Sequence, residues 1–242
     1  MIEELLPATV VAVEAHGDET AGGVYGADGP GGATLYPEEQ ALVARAVPKR
    51  VREFTVVRAC ARRAMEKLGV PPQPVLPGLR GAPQWPAGLV GSMTHCEGYC
   101  AAALVRETDL ASVGIDAEPH QPLPEGVLGS VALPTEEAHL RALSAHAPGA
   151  HGDPVHWDRL LFSAKESVYK AWFPLTGKWL DFSEADIEFT AAPGPQPHGT
   201  FRARLLVPGP VVDGRELGCF DGRWTVRRGL LATAVSVPHQ PA

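Results

Sequence analysis

The order of helical and strand-like segments is the feature of this sequence that most constrains its fold. A helical apolar period covers residues 50–68, and strand-like runs follow it at residues 90–94, 99–106 and 112–118. A second helical period covers residues 157–173, and further strand-like runs follow that helix. This repeated order predicts an α+β protein of two similar lobes, each with a small antiparallel sheet packed against helices.

Prolines and turn residues locate the remaining elements. A strand is predicted for residues 7–14, and Pro37 and Thr135 each stand at the start of a predicted helix. The turn at residues 107–109 predicts that the strands on either side of it form an antiparallel hairpin. The strands of the second half are predicted at residues 185–189, 200–206, 218–223 and 230–237.

Hydrophobicity and charge limit the classes of protein. Of the 242 residues 45% are hydrophobic, which predicts a packed core, and no run of about 18 apolar residues indicates a membrane span. The first residues carry Glu3 and Glu4 and lack the basic residues of a signal peptide. The net charge of −7 argues against a general nucleic-acid binder. We expect a monomer that binds neither nucleic acid nor membranes.

The four cysteines, Cys60, Cys96, Cys100 and Cys219, do not have the number and spacing of a disulfide framework. Reduced thiols and a cytoplasmic location are the simplest interpretation. His95 lies beside Cys96 and near Cys100, but no second Cys/His pair completes a zinc site at the usual spacing. Buried free cysteines are therefore favoured over a zinc site.

Positive charge is concentrated between Arg45 and Lys67. This segment contains eight Arg and Lys residues against only two acids, Glu53 and Glu66. Either the segment binds an anion or it forms a solvated basic helix face, and the charge pattern alone leaves both interpretations open.

Two acidic side chains, Asp116 and Glu118, stand near the end of a predicted strand. Alternation along a strand places both carboxylates on one face. Neighbouring carboxylates repel each other and are tolerated when they are solvated or bridged by a cation. Such oxygen ligands favour Mg²⁺, which takes one or two carboxylates together with substrate phosphate and water. A magnesium site and a solvated strand end both remain possible.

Two further motifs carry groups that can react. The second long helix places Glu166 and Lys170 on one face, with Lys165 beside them. They form either an ordinary surface ion pair or a carboxylate base with lysines that neutralise phosphate charge. In the run GSMTHC at residues 91–96, small residues before His95 allow an anion to approach closely. A purely structural histidine is the alternative.

Three motifs occur together and in order: GSMTHC, VGIDAE at residues 113–118 and FSAKESVYK at residues 162–170. This combination resembles the Sfp-type 4'-phosphopantetheinyl transferases. The run PKRVREFTVVRACAR at residues 48–62 resembles the arginine-rich segment of the branch that serves siderophore and polyketide carrier proteins. The resemblance implies the two-lobed fold of that family in a pseudo-twofold arrangement. The expected lobes are residues 1–117 and 118–242, with the active site between them.

The same resemblance implies an activity: transfer of phosphopantetheine from coenzyme A to a serine of apo acyl or peptidyl carrier proteins, with release of 3',5'-ADP. Asp116 and Glu118 match the Mg²⁺-binding pair of the family. Glu166 matches a further metal ligand or general base, and Lys170 matches a contact to the reacting phosphate. The catalytic residues expected are therefore Glu166, Lys170 and Asp116. Coenzyme A is expected to be held by Arg50, Arg58, Arg80, Thr94, His95 and Lys165.

The sequence departs from the family at two positions. Ala117 stands where other members carry a side chain that reaches the metal through water, so water would fill that position. Arg80 stands where many members have lysine, and a guanidinium keeps the charge with a different geometry.

The carrier protein is expected to dock after Pro119, with Leu123, Val127 and Leu128 as apolar contacts. A metal-dependent nuclease and a non-catalytic coenzyme A-binding protein are the competing hypotheses.

Overall fold

A computed structural model describes residues 1–17, 34–145 and 154–240 of the chain, which form two antiparallel sheets and their covering helices. The first sheet has the order β1-β3-β2, with β1 at Val11–His16, β2 at Leu89–Cys96 and β3 at Tyr99–Arg106. The second sheet has the order β4-β10-β9-β6-β5, with β4 at Ser112–Pro119, β5 at Ala185–Ala191, β6 at His198–Leu205, β9 at Cys219–Arg227 and β10 at Leu230–Val237. A small pair is formed by β7 at Val211–Val212 and β8 at Arg215–Glu216.

The helices of the described residues are α1 at Pro37–Val43, α2 at Pro48–Lys67, α3 at Leu128–Val131, α4 at Pro134–Ala145 and α5 at Trp157–Thr176. Proline at the first turn of α1 and α2 fits there because its missing N–H group needs no partner at that position. In the part of the chain that the structure describes, no helix has the length and apolar character needed to cross a membrane.

The long helix α2 covers one face of the first sheet. Its apolar stripe includes Val57, Ala61 and Met65, and it packs against alternate residues of β3, among them Ala102 and Leu104. The buried stripe recurs at the helical period, so hydrophobic burial fixes which side of α2 faces the sheet. The basic residues of the helix therefore lie on its other sides.

The strand β3 is buried on both faces. Its remaining residues, including Ala101 and Ala103, pack with Ile115 and Ala117 of β4 and with Ala232 of β10. The small alanine side chains let the first sheet pack on α2 on one side and on the second sheet on the other. The two sheets therefore share a hydrophobic core directly.

A glycine brings the long helix α5 close to β4. A Cβ atom at Gly114 would lie 2.0 Å from the carbonyl oxygen of Ser167 and 2.7 Å from the backbone nitrogen of Ala171. Real Cβ atoms do not tolerate such distances, so this approach of helix and strand requires glycine. The approach matters for the site, because Glu166 and Lys170 flank Ser167 on the helix and Asp116 follows Gly114 on the strand.

The predicted α+β class with antiparallel sheets is confirmed, and both long helices form close to their predicted limits. The hairpin predicted around residues 107–109 is wrong. Both edges of β3 are taken by β1 and β2, and β4 pairs along its whole length with β10. The connection therefore passes from one sheet to the other. The lobe boundary after residue 117 stays a prediction, although it falls inside β4.

Candidate active site

A central cleft of about 870 Å³ lies between the first sheet with α2 and the helix α5. From α2 and β2 it is lined by Arg50, Arg58 and His95, and from α5 by Glu166 and Lys170. The structure thus brings together side chains that are distant in sequence, as the motifs predicted. A volume of this size accommodates a ligand as large as a nucleotide cofactor.

Asp116 lies directly beside this cleft and is 4% exposed. The Lys170 ammonium donates to Asp116 Oδ1 at 2.7 Å and to the carbonyl oxygen of Ile115 at 3.1 Å. The Thr94 hydroxyl donates to the same Oδ1 at 3.2 Å. The other oxygen, Oδ2, is buried and has no hydrogen-bond partner among the described residues. Burying an oxygen without a partner costs stability, so such an atom calls for a ligand.

The donor set around Asp116 fits a hard divalent cation. An unpartnered carboxylate oxygen is the ligand type that Mg²⁺ takes, and Glu118 on the same strand face supplies a second carboxylate. No three His, Cys, Asp or Glu side chains are grouped as a metal site within the described residues. The expected trio with Glu166 is therefore not preformed. Mg²⁺ here would depend on oxygens from substrate phosphate and water to complete its coordination.

Glu118 is fixed by an arginine that the sequence did not single out. Arg159 on α5 donates from Nη1 to Glu118 Oε2 at 3.0 Å, and it also donates to the carbonyl oxygens of Gln121 and Pro122. Burial raises the pKa of Glu118 and the charge of Asp116 raises it further, whereas Arg159 lowers it. The interaction with Asp116 shows that the two carboxylates are electrostatically coupled.

Glu166 lines the cleft one turn before Lys170 on α5. Burial raises its pKa, the Asp116 charge raises it further, and the Lys170 charge opposes both. A carboxylate whose pKa lies above its ordinary value binds a proton more readily than a solvated one does. This is the property that a general base needs. Asp116, Glu118 and Glu166 are called the acidic site below.

On the opposite side, Arg50 and His95 form a hydrogen-bonded pair. Arg50 Nη1 lies 2.7 Å from His95 Nε2, and Glu53 Oε2 lies 3.7 Å from the same nitrogen. Burial lowers the pKa of His95, and the Arg50 charge lowers it further, so the imidazole favours its neutral form. An incoming anion would replace Glu53 as the counter-charge of this pair.

Arg58 is held by protein groups within the same wall. Its Nε donates to the carbonyl oxygen of Val75 at 3.1 Å and lies 3.6 Å from Oε1 of Glu39, and its guanidinium lies 3.2 Å from the Phe54 ring centroid. Burial lowers the pKa of Arg58 to about 10, so it stays charged at neutral pH. Glu39 is fully buried and also binds Arg62 at 3.0 Å. Arg58 therefore lines the cleft as a fixed charge.

Arg80 lies in a tight turn at residues 79–81 and lines the cleft. Its backbone adopts the left-handed conformation, with φ of 53°, and its guanidinium lies 5.6 Å from the Trp179 ring centroid. Trp179 in turn lies 5.0 Å from the Tyr169 ring, which also lines the cleft. Arg50, Arg58, Arg80 and His95 are called the basic wall below.

Two expected coenzyme A contacts, Lys165 and Thr94, have their polar groups bound to other protein groups in this structure. The Lys165 ammonium is buried, lies 2.8 Å from Oε2 of Glu136 and donates to the carbonyl oxygen of Ala185. It therefore holds α4 and β5 to α5, and Lys165 lines a smaller cavity on the other side of α5 rather than the central cleft. Thr94 is 3% exposed and directs its hydroxyl to β4, away from the cleft surface.

None of the four cysteines forms a disulfide in the described part of the chain, where Cys60 and Cys100 are buried and Cys96 and Cys219 are partly exposed. Burial raises the pKa of Cys96 to about 12 and that of Cys100 to about 12, so both thiols stay protonated at neutral pH.

A second cavity of about 260 Å³ adjoins the acidic site on the other side of α5. Glu166 and Tyr169 line both this cavity and the central cleft, and Trp179 and Phe182 close it. Sequence reasoning missed Arg159 and Glu39, which act through contacts distant in sequence. It also missed the aromatic lining, for which the only signal was the cluster of aromatics around residues 162–182.

Two family models match the chain. The 4'-phosphopantetheinyl transferase N-terminal domain matches residues 38–105, and the 4'-phosphopantetheinyl transferase superfamily matches residues 112–207. The first match includes α2 and β2 and contains the whole basic wall. The second match begins at β4 and includes α5, and therefore contains the whole acidic site.

Curated relatives are similar over nearly the entire chain. 4'-Phosphopantetheinyl transferase Svp of Streptomyces mobaraensis is 56% identical over 237 residues, which is 98% of this chain and 89% of Svp. PptT of Mycobacterium tuberculosis is 47% identical over 97% of each chain. Npt of Nocardia iowensis is 46% identical over 98% of this chain and 99% of its own.

Proposed function

Because this chain belongs to the Sfp-type 4'-phosphopantetheinyl transferases, we propose that its central cleft transfers the phosphopantetheine arm of coenzyme A to a serine of acyl or peptidyl carrier proteins. The reaction converts the apo carrier to its holo form and releases 3',5'-ADP. The carriers we propose are those of polyketide, nonribosomal peptide or siderophore biosynthesis. The proposed location is the cytoplasm, where free thiols such as those of this chain stay reduced.

One observation carries the proposal: the buried, unpartnered Oδ2 of Asp116 beside a cleft whose other side is basic. A pyrophosphate ester needs positive charge at both phosphates and a base at its attacking group. The basic wall offers the first, and the acidic site offers a cation position and the base.

Anion binding is assigned to the basic wall. Arg50 and His95 are positioned to bind the 3'-phosphate of coenzyme A, since both are partly exposed at the cleft and already form a pair. Arg58 contributes fixed charge from its buried position, and Arg80 contributes charge from its loop. Charge-assisted hydrogen bonds of guanidinium groups to phosphate are about twice as strong as neutral ones.

Mg²⁺ is proposed to bind Asp116 and Glu118, with Glu166 as a further ligand or as the base. When bound, it would neutralise charge on the pyrophosphate and stabilise the leaving group. Lys170 already neutralises Asp116 Oδ1, and a phosphate oxygen close to this ammonium would gain a second charge-assisted contact. Lys170 is therefore proposed to hold the phosphoryl group that is transferred.

The serine hydroxyl of the carrier attacks the β-phosphorus of coenzyme A. The bond between the β-phosphorus and its oxygen to the α-phosphate breaks, and 3',5'-ADP leaves. Glu166 accepts the serine proton, directly or through a water molecule, for which its raised pKa suits it. The pantetheine arm is proposed to extend into the smaller cavity beyond Glu166, where Tyr169 and Trp179 provide apolar surface.

The carrier is proposed to dock at the segment after β4. Val127 and Leu128 are half-buried against the apolar residues of α5 and the second sheet, and the Leu123 backbone N–H donates to Asp158 Oδ2 at 2.8 Å. Arg159 ties this segment to Glu118. If charge attraction steers the carrier to this surface, salt screens that attraction, and the affinity for the carrier should fall as ionic strength rises.

The test is incubation of the purified chain with a fluorescent coenzyme A analogue, Mg²⁺ and an apo carrier protein. Covalent labelling of the carrier is the expected result. Tight binding of the analogue with no labelling across a panel of carriers would indicate a non-catalytic coenzyme A-binding protein. Cleavage of added nucleic acid without labelling would indicate a nuclease.

A further inference from the structure

The strands β2 and β4 lie side by side but belong to different sheets, and two hydroxyl groups join them. The hydroxyl oxygen of Ser92 accepts the N–H of Ile115 at 3.1 Å, and that of Thr94 accepts the N–H of Ala117 at 3.2 Å. Each of the two side chains is 3% exposed. Side-chain oxygens of β2 thus stand where carbonyl oxygens would stand in a continuous sheet.

The hydrogen-bond directions at Thr94 follow from its neighbours. A backbone N–H can only donate, so the hydroxyl oxygen must accept from Ala117, and its own hydrogen is left for Asp116 Oδ1. Lys170 can likewise only donate, and it donates to the same oxygen. Both donors therefore lie on Oδ1, and Oδ2 is left buried without a hydrogen-bond partner among the described residues.

We infer that Thr94 is a positioning residue for Asp116: its hydroxyl, fixed between two groups of β4, orients the carboxylate so that Oδ2 remains for the divalent cation. The inference rests on the proposed function, which places Mg²⁺ at Asp116. This role differs from the one expected from the sequence, because a hydroxyl that donates to Asp116 Oδ1 has no second hydrogen to donate to a phosphate.

Ser92 supplies a matched control within the same strand. It lies two residues earlier on the same face of β2 and makes the same kind of bond to β4, but its backbone partner is Ile115. Among the described residues its hydroxyl has no hydrogen bond to a carboxylate. Loss of either hydroxyl should lower the melting temperature to a similar extent. Only loss of the Thr94 hydroxyl should change metal binding.

The experiment is titration of the full chain with Mn²⁺, followed by electron paramagnetic resonance, for four proteins: wild type, Thr94→Val, Thr94→Ser and Ser92→Ala. Thr94→Val should weaken Mn²⁺ binding about 10–100-fold, the usual effect of removing a partner that orients a metal ligand. Thr94→Ser keeps the hydroxyl and should stay close to wild type. Ser92→Ala should bind Mn²⁺ like wild type. Coenzyme A affinity without metal should be the same in wild type, Thr94→Val and Thr94→Ser, since Thr94 does not line the cleft.

Several results would overturn the inference. These are wild-type Mn²⁺ affinity in Thr94→Val, equal weakening in Ser92→Ala, or loss of metal-free coenzyme A binding in Thr94→Val. If Thr94→Val does not fold, Thr94→Ala replaces it, and a tenfold loss in Thr94→Ser would count against the inference by itself. Failure of the proposed metal site can be distinguished from failure of the inference about Thr94. If Asp116 does not bind the metal, Asp116→Asn would bind Mn²⁺ as wild type does.

Discussion

The basic wall and the acidic site meet at one cleft but are built in different ways. The acidic site stands on β4 and α5, two elements held in close contact by Gly114, and its central carboxylate has two donors on one oxygen. The basic wall draws Arg50 and His95 from α2 and β2 and Arg80 from a loop. Arg58 is buried and fixed, but the counter-charge of Arg50 and His95 is weakly held, since Glu53 Oε2 lies 3.7 Å from His95 Nε2.

This difference indicates that the acidic site and the basic wall have separate roles. A rigid, buried carboxylate with one unpartnered oxygen is suited to chemistry, because preorganised groups need no rearrangement as charge develops. Half-exposed cations with a weakly held counter-charge are suited to binding and releasing an anion. Changes at the acidic site should therefore alter turnover, and changes at the basic wall should alter coenzyme A affinity.

Asp116→Asn should lower the transfer rate more than any other variant proposed here. A small effect would contradict the distinction between the acidic site and the basic wall. The amide keeps the shape of the side chain but removes its negative charge. That charge pairs with Lys170 and is proposed to bind the metal, so the transfer rate should fall about 10³-fold. The measurement is the rate of holo-carrier formation followed by mass spectrometry.

The matched control for that variant is Asp221→Asn. Asp221 is exposed on the second sheet and pairs with Arg202 at 2.7 Å, away from the cleft. Near-normal turnover is expected there. An equal loss in both variants would remove Asp116 from its assigned role.

Arg50→Ala should act on binding alone. Loss of a charge-assisted contact costs about 1.5–3 kcal/mol, so the dissociation constant of coenzyme A should rise about 10–100-fold with the turnover number at saturation little changed. Calorimetry measures the first quantity and steady-state kinetics the second. Arg52→Ala is the control, since Arg52 lies on the same helix but is exposed outside the cleft lining.

Gly114→Ala tests how the two regions are held together. The added Cβ would meet the backbone of α5, so the free energy of unfolding should fall by about 1–3 kcal/mol, the usual cost of overpacking. Thermal denaturation measures this loss. Gly218→Ala has no atom within 4 Å of its new Cβ and should change little. Equal stability of the two variants would show that the helix approach is not tight.

The pH dependence of coenzyme A binding tests the role of His95, and the expected change in affinity is a factor of a few. Burial and Arg50 hold the pKa of His95 below 6.5, so the free protein carries a neutral imidazole at pH 7. A bound phosphate favours the imidazolium, so binding takes up a proton and affinity rises as the pH falls from about 8 to 6. Calorimetry in buffers of different ionisation enthalpy detects the uptake. His95→Asn should lose this part of the pH dependence.

Local periodicity was sufficient to predict the long helices and most strands, because α2 and α5 carry regular apolar stripes. Periodicity did not predict the pairing of β3 and β4 correctly, because both edges of β3 are already occupied by β1 and β2 and β4 pairs with β10 instead. The motifs predicted Asp116, Glu118, Glu166, His95 and Lys170 near one another. They could not predict the orientation of Lys165 or Thr94, since their partners, Glu136 and the β4 backbone, are set by tertiary packing.

The central claim, chemistry at the acidic site and binding at the basic wall, is tested most directly by Glu166→Gln. The dissociation constant of coenzyme A and the rate of carrier modification are measured on the same preparation. We expect an unchanged dissociation constant and a rate lowered by about 10²–10⁴-fold, the usual contribution of a general base. Near-wild-type modification of the carrier, or a large loss of coenzyme A binding, would contradict it.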